Sequence, residues 1–130
     1  MSDVAVTQNL IKGIADATLH ALGHSDIHPI LSDLGTDLWG RVNIRERTMW
    51  LNSRLLQESP WQITIMVVLH ELCHVRANTG REGEAVDQQW QLMLRPAVLE
   101  NVLREILERG LIVPPPAEDV GPMVGSAEQT

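Results

Sequence analysis

The chain has 130 residues, with 10 Lys and Arg against 17 Asp and Glu and a formal charge of −7; this length holds one domain with a modest core, and the acidic balance argues against nucleic-acid phosphates or an anionic membrane as main partner. A single cysteine excludes an internal disulfide and fits a reducing compartment. The apolar runs are too short for a membrane span and the N-terminus lacks the basic-then-apolar order of a signal peptide, so a soluble cytoplasmic protein is expected, with no nucleic-acid or membrane partner.

Without Phe or Tyr, the core must be built from aliphatic residues and the four Trp. Leu10, Ile14, Ala17 or Thr18, and Ala21 keep a helical period over residues 4–22, and Gly23 supplies a stop. His20, His24 and His28 recur every four residues, yet Gly23 and Pro29 interrupt any continuous helix, so the spacing does not define a metal face. They read as solvated or capping groups, with the alternative that one reaches a metal cleft from the side.

Over residues 33–53 the pattern changes to that of a β-hairpin. Gly35 and Gly40 punctuate, Leu38, Val42 and Ile44 lead to an Arg45-Glu46-Arg47 corner, and Met49 and Leu51 alternate after it. Ser59-Pro60-Trp61-Gln62 then carries two helix-start signals, a Ser N-cap with Gln three residues on and a proline at the first helical position. The helix predicted from there spans residues 60–78, with Gly80 ending it. Ile63, Met66, Val67 and Val68 leave it hardly any polar face in its first turns, which marks it as the buried central helix. A further helix starts at about residue 81 and meets Pro96, and a last one over 96–109 turns Val98, Leu99, Val102, Leu103, Ile106 and Leu107 inward before Gly110. The domain is expected to span residues 1–113, followed by a disordered tail over 114–130 that opens with three prolines and carries no Lys or Arg.

At the end of the apolar run of the central helix stands His70-Glu71-Leu72-Cys73-His74. Two histidines four residues apart on a helix project from one face, close enough to hold one metal ion. Glu71 falls on the flank of that face, off the coordination plane but within reach of a water on the open side, where a general base belongs. Three fixed residues at this spacing arise by chance in on the order of one chain of this length in several hundred. The apolar helix before the motif and the Gly and carboxylate cluster after it weigh against the plainer reading, a helix end with two surface histidines. Cys73 lies between the histidines, rotated off their face, and reads as a small buried residue.

A catalytic zinc usually takes three protein ligands and leaves the fourth position to water. Glu84 is expected to be the third, because a turn at Gly80 would bring a new helix back alongside the first; Glu82 is the competitor. Glu84 is preferred because it falls inside the expected helix start, one turn before Asp87, which would accept a hydrogen bond from a ligand imidazole. The helix dipole alone would also favour these carboxylates in a first turn.

The pentad, followed by Glu84-Ala85-x-Asp87 and Leu92-x-Leu94-x-Pro96, resembles the zincin metallopeptidases of the gluzincin type, and among them the small minigluzincins and the ImmA/IrrE-like peptidases. The resemblance covers about residues 37–96. It implies an α+β fold, a small zincin-like domain with an N-terminal helix, a β-hairpin or small sheet, the motif helix and C-terminal helices. It also implies Zn2+ held by His70, His74 and Glu84, with Glu71 as general base in the hydrolysis of a peptide or protein substrate. Family members commonly place an acidic or amide residue four after the glutamate ligand, whereas Asp87 is three after Glu84 and five after Glu82, which leaves the third ligand open between the two. The family's frequent oxyanion-steadying Tyr has no counterpart here; Arg76, Arg81 or an N-terminal histidine would take its place, or zinc alone would suffice.

A substrate would lie extended beside a hairpin strand, residues 38–44 or 49–52, in a cleft that so small a domain would keep shallow. The last helix is expected to pack on the glutamate-bearing helix, starting the tail near the cleft. Glu118 or Asp119 would then reach the metal and keep the protein latent, against the simpler expectation of a tail without a role. Two further function classes are compatible with the sequence: a zinc-bearing protein-binding module without catalysis, and a metal-free helical interaction protein carrying the motif by chance.

Overall fold

The computed structural model describes residues 3–113, with side chains from residue 7 onward. The disordered tail and the latency expected of Glu118 or Asp119 lie outside the described residues. Helix α1 (Asp3–Ala21) leads to strands β1 (His28–Ser32), β2 (Gly40–Asn43) and β3 (Thr48–Asn52), and helices α2 (Ser53–Leu56), α3 (Trp61–Ala77), α4 (Glu84–Met93) and α5 (Pro96–Glu108) follow. This is a small α+β fold with a three-stranded sheet.

Helix α1 buries Ile11, Ile14, Ala15, Thr18 and Leu19 along one face. The Thr18 hydroxyl meets its own need inside the helix by donating to the Ile14 carbonyl at 2.8 Å. Gly23, at φ +81°, takes the left-handed position past the helix end, and the His24 amide donates back to the Leu19 carbonyl at 2.8 Å. The stop expected at Gly23 is therefore where the helix ends.

Strands β2 and β3 form the expected antiparallel hairpin, with Gly40 opposite Leu51 and Asn43 opposite Thr48. The sequence reading missed β1, which pairs in parallel with β3 from His28↔Thr48 to Ser32↔Asn52, giving the order β1-β3-β2. Pro29 suppresses the usual strand signal, yet an edge strand tolerates it because half of its backbone groups have no ladder partner. Since β3 is paired on both sides, residues 49–52 cannot receive a substrate strand. Among the described residues, the unpaired edge near the motif helix is that of β2.

Helix α3 crosses the middle of the domain, with Val68, Leu69, Leu72 and Cys73 fully buried. Its span is the expected one, and the capping residues at both ends differ in detail. Pro60 takes the N-cap position without a side-chain cap, and the Ser59 hydroxyl donates instead to the Leu55 carbonyl at 2.9 Å. The helix ends at Asn78, as its expected span did, but Asn78 and not Gly80 supplies the stop: Asn78 adopts the left-handed conformation at φ 56°, and the Thr79 amide donates to the His74 carbonyl at 3.1 Å. Helix α4 consequently begins only at Glu84.

Helix α5 buries Val102 and Ile106, while Leu103 and Leu107, expected to face inward, are exposed at 39% and 41%. It packs mainly on α1 and only slightly on α4, with the Asn101 amide donating to the Ala21 carbonyl at 2.9 Å. Just beyond it Leu111 lies against α1 at Gly13, where a Cβ would come within 2.8 Å of the leucine methyl. The expected packing of the last helix on α4 is present, and its larger contact is with α1. Among the described residues, no helix is long and apolar enough to cross a membrane.

Candidate metal centre

His70 and His74 occupy successive turns of α3, their ring centres 5.0 Å apart and their planes nearly perpendicular. The left-handed Asn78 turns the chain back over the end of the helix, and two contacts hold that turn. The His74 Nδ1 lies 3.0 Å from the Thr79 carbonyl and the Arg81 amide donates to the Thr79 hydroxyl at 3.2 Å. A carbonyl only accepts, so His74 donates to it through Nδ1, which turns Nε2 to the opposite side.

At that nitrogen stands Glu82. Its carboxylate lies 2.8 Å from the His74 Nε2 and 3.4 Å from the His70 Nε2. One ligand atom from each of His70, His74 and Glu82 falls within 4.8 Å of the others. Among the described residues, no other group of three or more His, Cys, Asp or Glu side chains converges in this way. Glu84, the expected third ligand, is not brought to the histidines: it opens α4, and Glu82 in the preceding turn takes the place. The reason is the turn between α3 and α4, which folds back over the helix end and carries Glu82, while Glu84 and Asp87 occupy the first turn of α4, where a helix dipole favours carboxylates.

Asp87 does not support an imidazole as expected. The partners are the Thr79 carbonyl for His74 and Glu71 for His70, whose Nδ1 lies 3.3 Å from the Glu71 carboxylate. Trp90, not singled out from the sequence, meets His70 edge-on at 5.8 Å. It lies two turns into α4 from Glu84, on the face that returns to α3, and a large aromatic so placed is the signal that could have pointed to it.

Glu71 is buried, at 6% exposure. Burial pushes its carboxyl above the usual carboxylate range, partly offset by the charges of His70 and His74. Glu82 behaves oppositely: desolvation raises its carboxyl, but the two imidazoles together outweigh it and hold the group below its ordinary value. Cys73 is fully buried, and desolvation pushes its thiol up to about 11, so it stays a neutral packing residue as expected.

These side chains line a cleft of about 610 Å³, bounded on one side by α3 and on the other by β2 and the residues before it. That volume falls within the range of ordinary ligand sites. Gly40 brings its two walls together: a Cβ there would lie 2.9 Å from a Val67 methyl and 3.6 Å from the Glu71 side chain. None of the cations or histidines expected to steady an oxyanion lines the cleft. Arg76 is engaged elsewhere, donating to the His24 ring at 3.2 Å and to the Leu22 carbonyl at 3.4 Å. His20 lies 3.4 Å from Glu105, and His28 is exposed on the far edge strand. The cation on the lining is Arg41, stacked 5.1 Å over the Trp50 ring.

No family model and no curated protein matches the sequence. Similar folds are found among solved structures. The metallopeptidase zymogen jannalysin of Methanocaldococcus jannaschii superposes with a TM-score of 0.53 at 15% identity, over 76% of this chain and 95% of that one. The metallopeptidase zymogen abylysin of Pyrococcus abyssi gives 0.52 at 16% identity, over 75% and 93%. At such identities the likeness is one of fold.

Proposed function

We propose that the protein is a zinc-dependent peptidase in which His70, His74 and Glu82 hold the metal and Glu71 is the general base. The observation that carries this reading is a buried glutamate beside a His–His–Glu set, in a cleft whose other wall is a free strand edge. Two imidazole nitrogens and a carboxylate oxygen within 4.8 Å of one another fit the donor set of a catalytic zinc. The likeness in fold to two metallopeptidase zymogens supports the same reading. When bound, zinc would polarise the scissile carbonyl and lower the pKa of a water towards about 7.

The chain's own residues supply the rest. The Glu71 carboxylate takes the proton of the attacking water and returns it to the departing amine, a task helped by burial that raises its proton affinity. The Thr79 carbonyl fixes the His74 ring so that Nε2 faces the cleft. The edge of β2 offers its unpaired amides and carbonyls to an extended peptide, which would add to the sheet as a further strand. Gly40 lets that strand lie directly against Val67 and Glu71, keeping the peptide bond beside the base.

Elemental analysis of the purified protein, together with peptide-library digestion by the native chain and by Glu71→Gln, tests the proposal. Zinc in near-equal ratio to protein, and cleavage that drops by about 100-fold or more in Glu71→Gln with zinc retained, are expected. A zinc-free active protein, or a variant as active as the native chain, would overturn it.

A further inference from the structure

The segment that joins β1 to β2, residues 33–39, passes over the end of β3 from one edge of the sheet to the other. Its last part, Asp37, Leu38 and Trp39, lines the cleft. Leu38 and Trp39 are exposed at 41% and 45%, so apolar burial holds this wall only weakly. Gly35, at φ +88°, gives the segment its bend.

What does hold it is one buried amide. Asn52, the last residue of β3, is fully buried, and its side chain can accept two hydrogen bonds and donate two. All four are made. The Oδ1 accepts from the Leu34 amide at 3.1 Å and from the Arg54 amide at 3.0 Å, and the Nδ2 donates to the Gly35 carbonyl at 2.9 Å and the Leu38 carbonyl at 2.6 Å. Its own backbone amide donates to the Trp39 carbonyl at 2.9 Å. A single residue therefore caps α2, closes the bend at both ends and sets where β2 begins, one residue before Gly40 meets Val67.

We propose that Asn52 is a positioning residue for peptide binding: it fixes residues 34–39 as the cleft wall opposite α3 and thereby the line of the β2 edge. This rests on the peptidase reading for its catalytic consequence, and on the hydrogen bonds alone for its structural one. Asn52 touches none of the proposed metal ligands, so its loss should act on substrate affinity and leave the metal in place.

The test compares zinc-loaded full-length protein with three variants. Asn52→Asp keeps the shape and turns the donating nitrogen into an oxygen facing two carbonyls. Gly35→Ala strains the same segment from outside, since its left-handed φ disfavours a side chain although space is open. Gly23→Ala imposes the same kind of strain at φ +81°, also in open space, at the end of α1, and is the control for stability alone. For Asn52→Asp and Gly35→Ala, KM on a cleaved peptide should rise about tenfold with kcat changed less than about threefold, the scale of a wall displaced by a fraction of an ångström. Amide exchange over residues 34–39 should quicken, and zinc content should stay equal to that of the native chain. Gly23→Ala should move neither KM nor that exchange. A native KM in both segment variants, unchanged exchange over 34–39, or a KM rise of the same size in Gly23→Ala would overturn the proposal. Should the native chain cleave no peptide, the peptidase reading falls, and the exchange comparison still decides whether Asn52 holds the wall.

Discussion

Glu82 and Glu84 stand two positions apart, and the structure separates them by placing one in a turn and the other in a helix. The histidine pair was legible because its geometry depends only on α3 being helical, and an apolar run of that length leaves little choice. The third carboxylate depends instead on the path of the turn after α3. A left-handed asparagine at position 78 sends the chain back over the helix end, and that turn sets Glu82 rather than Glu84 beside the histidines. The two residues give opposite expectations in a zinc titration: Glu82→Gln should weaken binding by about tenfold or more, the size known even for supporting residues, and Glu84→Gln should be nearly silent. The reverse ranking, measured by competition with a chelator, would return the role to Glu84. Asn52 was not legible, since three of its four side-chain partners are backbone groups of Leu34, Gly35 and Leu38, whose positions only the folded crossover defines; the fourth, the Arg54 amide, is a local helix cap.

At the level of elements, the pairing of β2 with α3 decides whether the cleft has a working geometry. The hairpin and the motif helix were readable from alternation and from periodicity, whereas β1 was not, because a five-residue strand containing a proline carries neither signal. Nor could the sequence say which hairpin strand is free, since that depends on β1 covering β3. Gly40→Ala probes the contact directly. Its Cβ would press on a Val67 methyl at 2.9 Å and on the Trp50 carbonyl at 3.0 Å, and the backbone oxygen is held in the sheet and cannot yield. The strand must move away from α3, at a cost of about 1–3 kcal/mol. A lower melting temperature and a reduced kcat with zinc retained are expected; thermal melts and turnover identical to the native chain would show that strand and helix need not lie so close.

For the molecule as a whole, the α+β class implied by the resemblance is the one found, and what stayed hidden was the way the helices pair. Helix α5 lies chiefly on α1, while the His70–His74–Glu82 cluster lies on the side of the sheet's β2 edge. With so small a core, the ion should contribute visibly to stability: at free zinc about a thousandfold above its Kd, mass action adds about 4 kcal/mol. Chelation should therefore lower the melting temperature by on the order of 10 °C. An unchanged melting curve after demonstrated removal of zinc would refute a structural contribution of the metal.

His70 and Glu82 are only twelve positions apart, and the remaining members of the centre, Glu71, His74 and Thr79, fall between them. One helix end and one turn complete the centre, with no loop to be closed across the chain, whereas the wall opposite it comes from β2 and must be brought from some thirty residues upstream. The two halves of the cleft should therefore assemble on different schedules, the ion finding its ligands while the sheet is still unpaired. Zinc should then accelerate refolding in stopped-flow mixing and not merely retard unfolding, because the local centre is already formed when the chain crosses its barrier. If the ion leaves the folding rate untouched and slows only the unfolding limb, the centre is completed late, after the sheet.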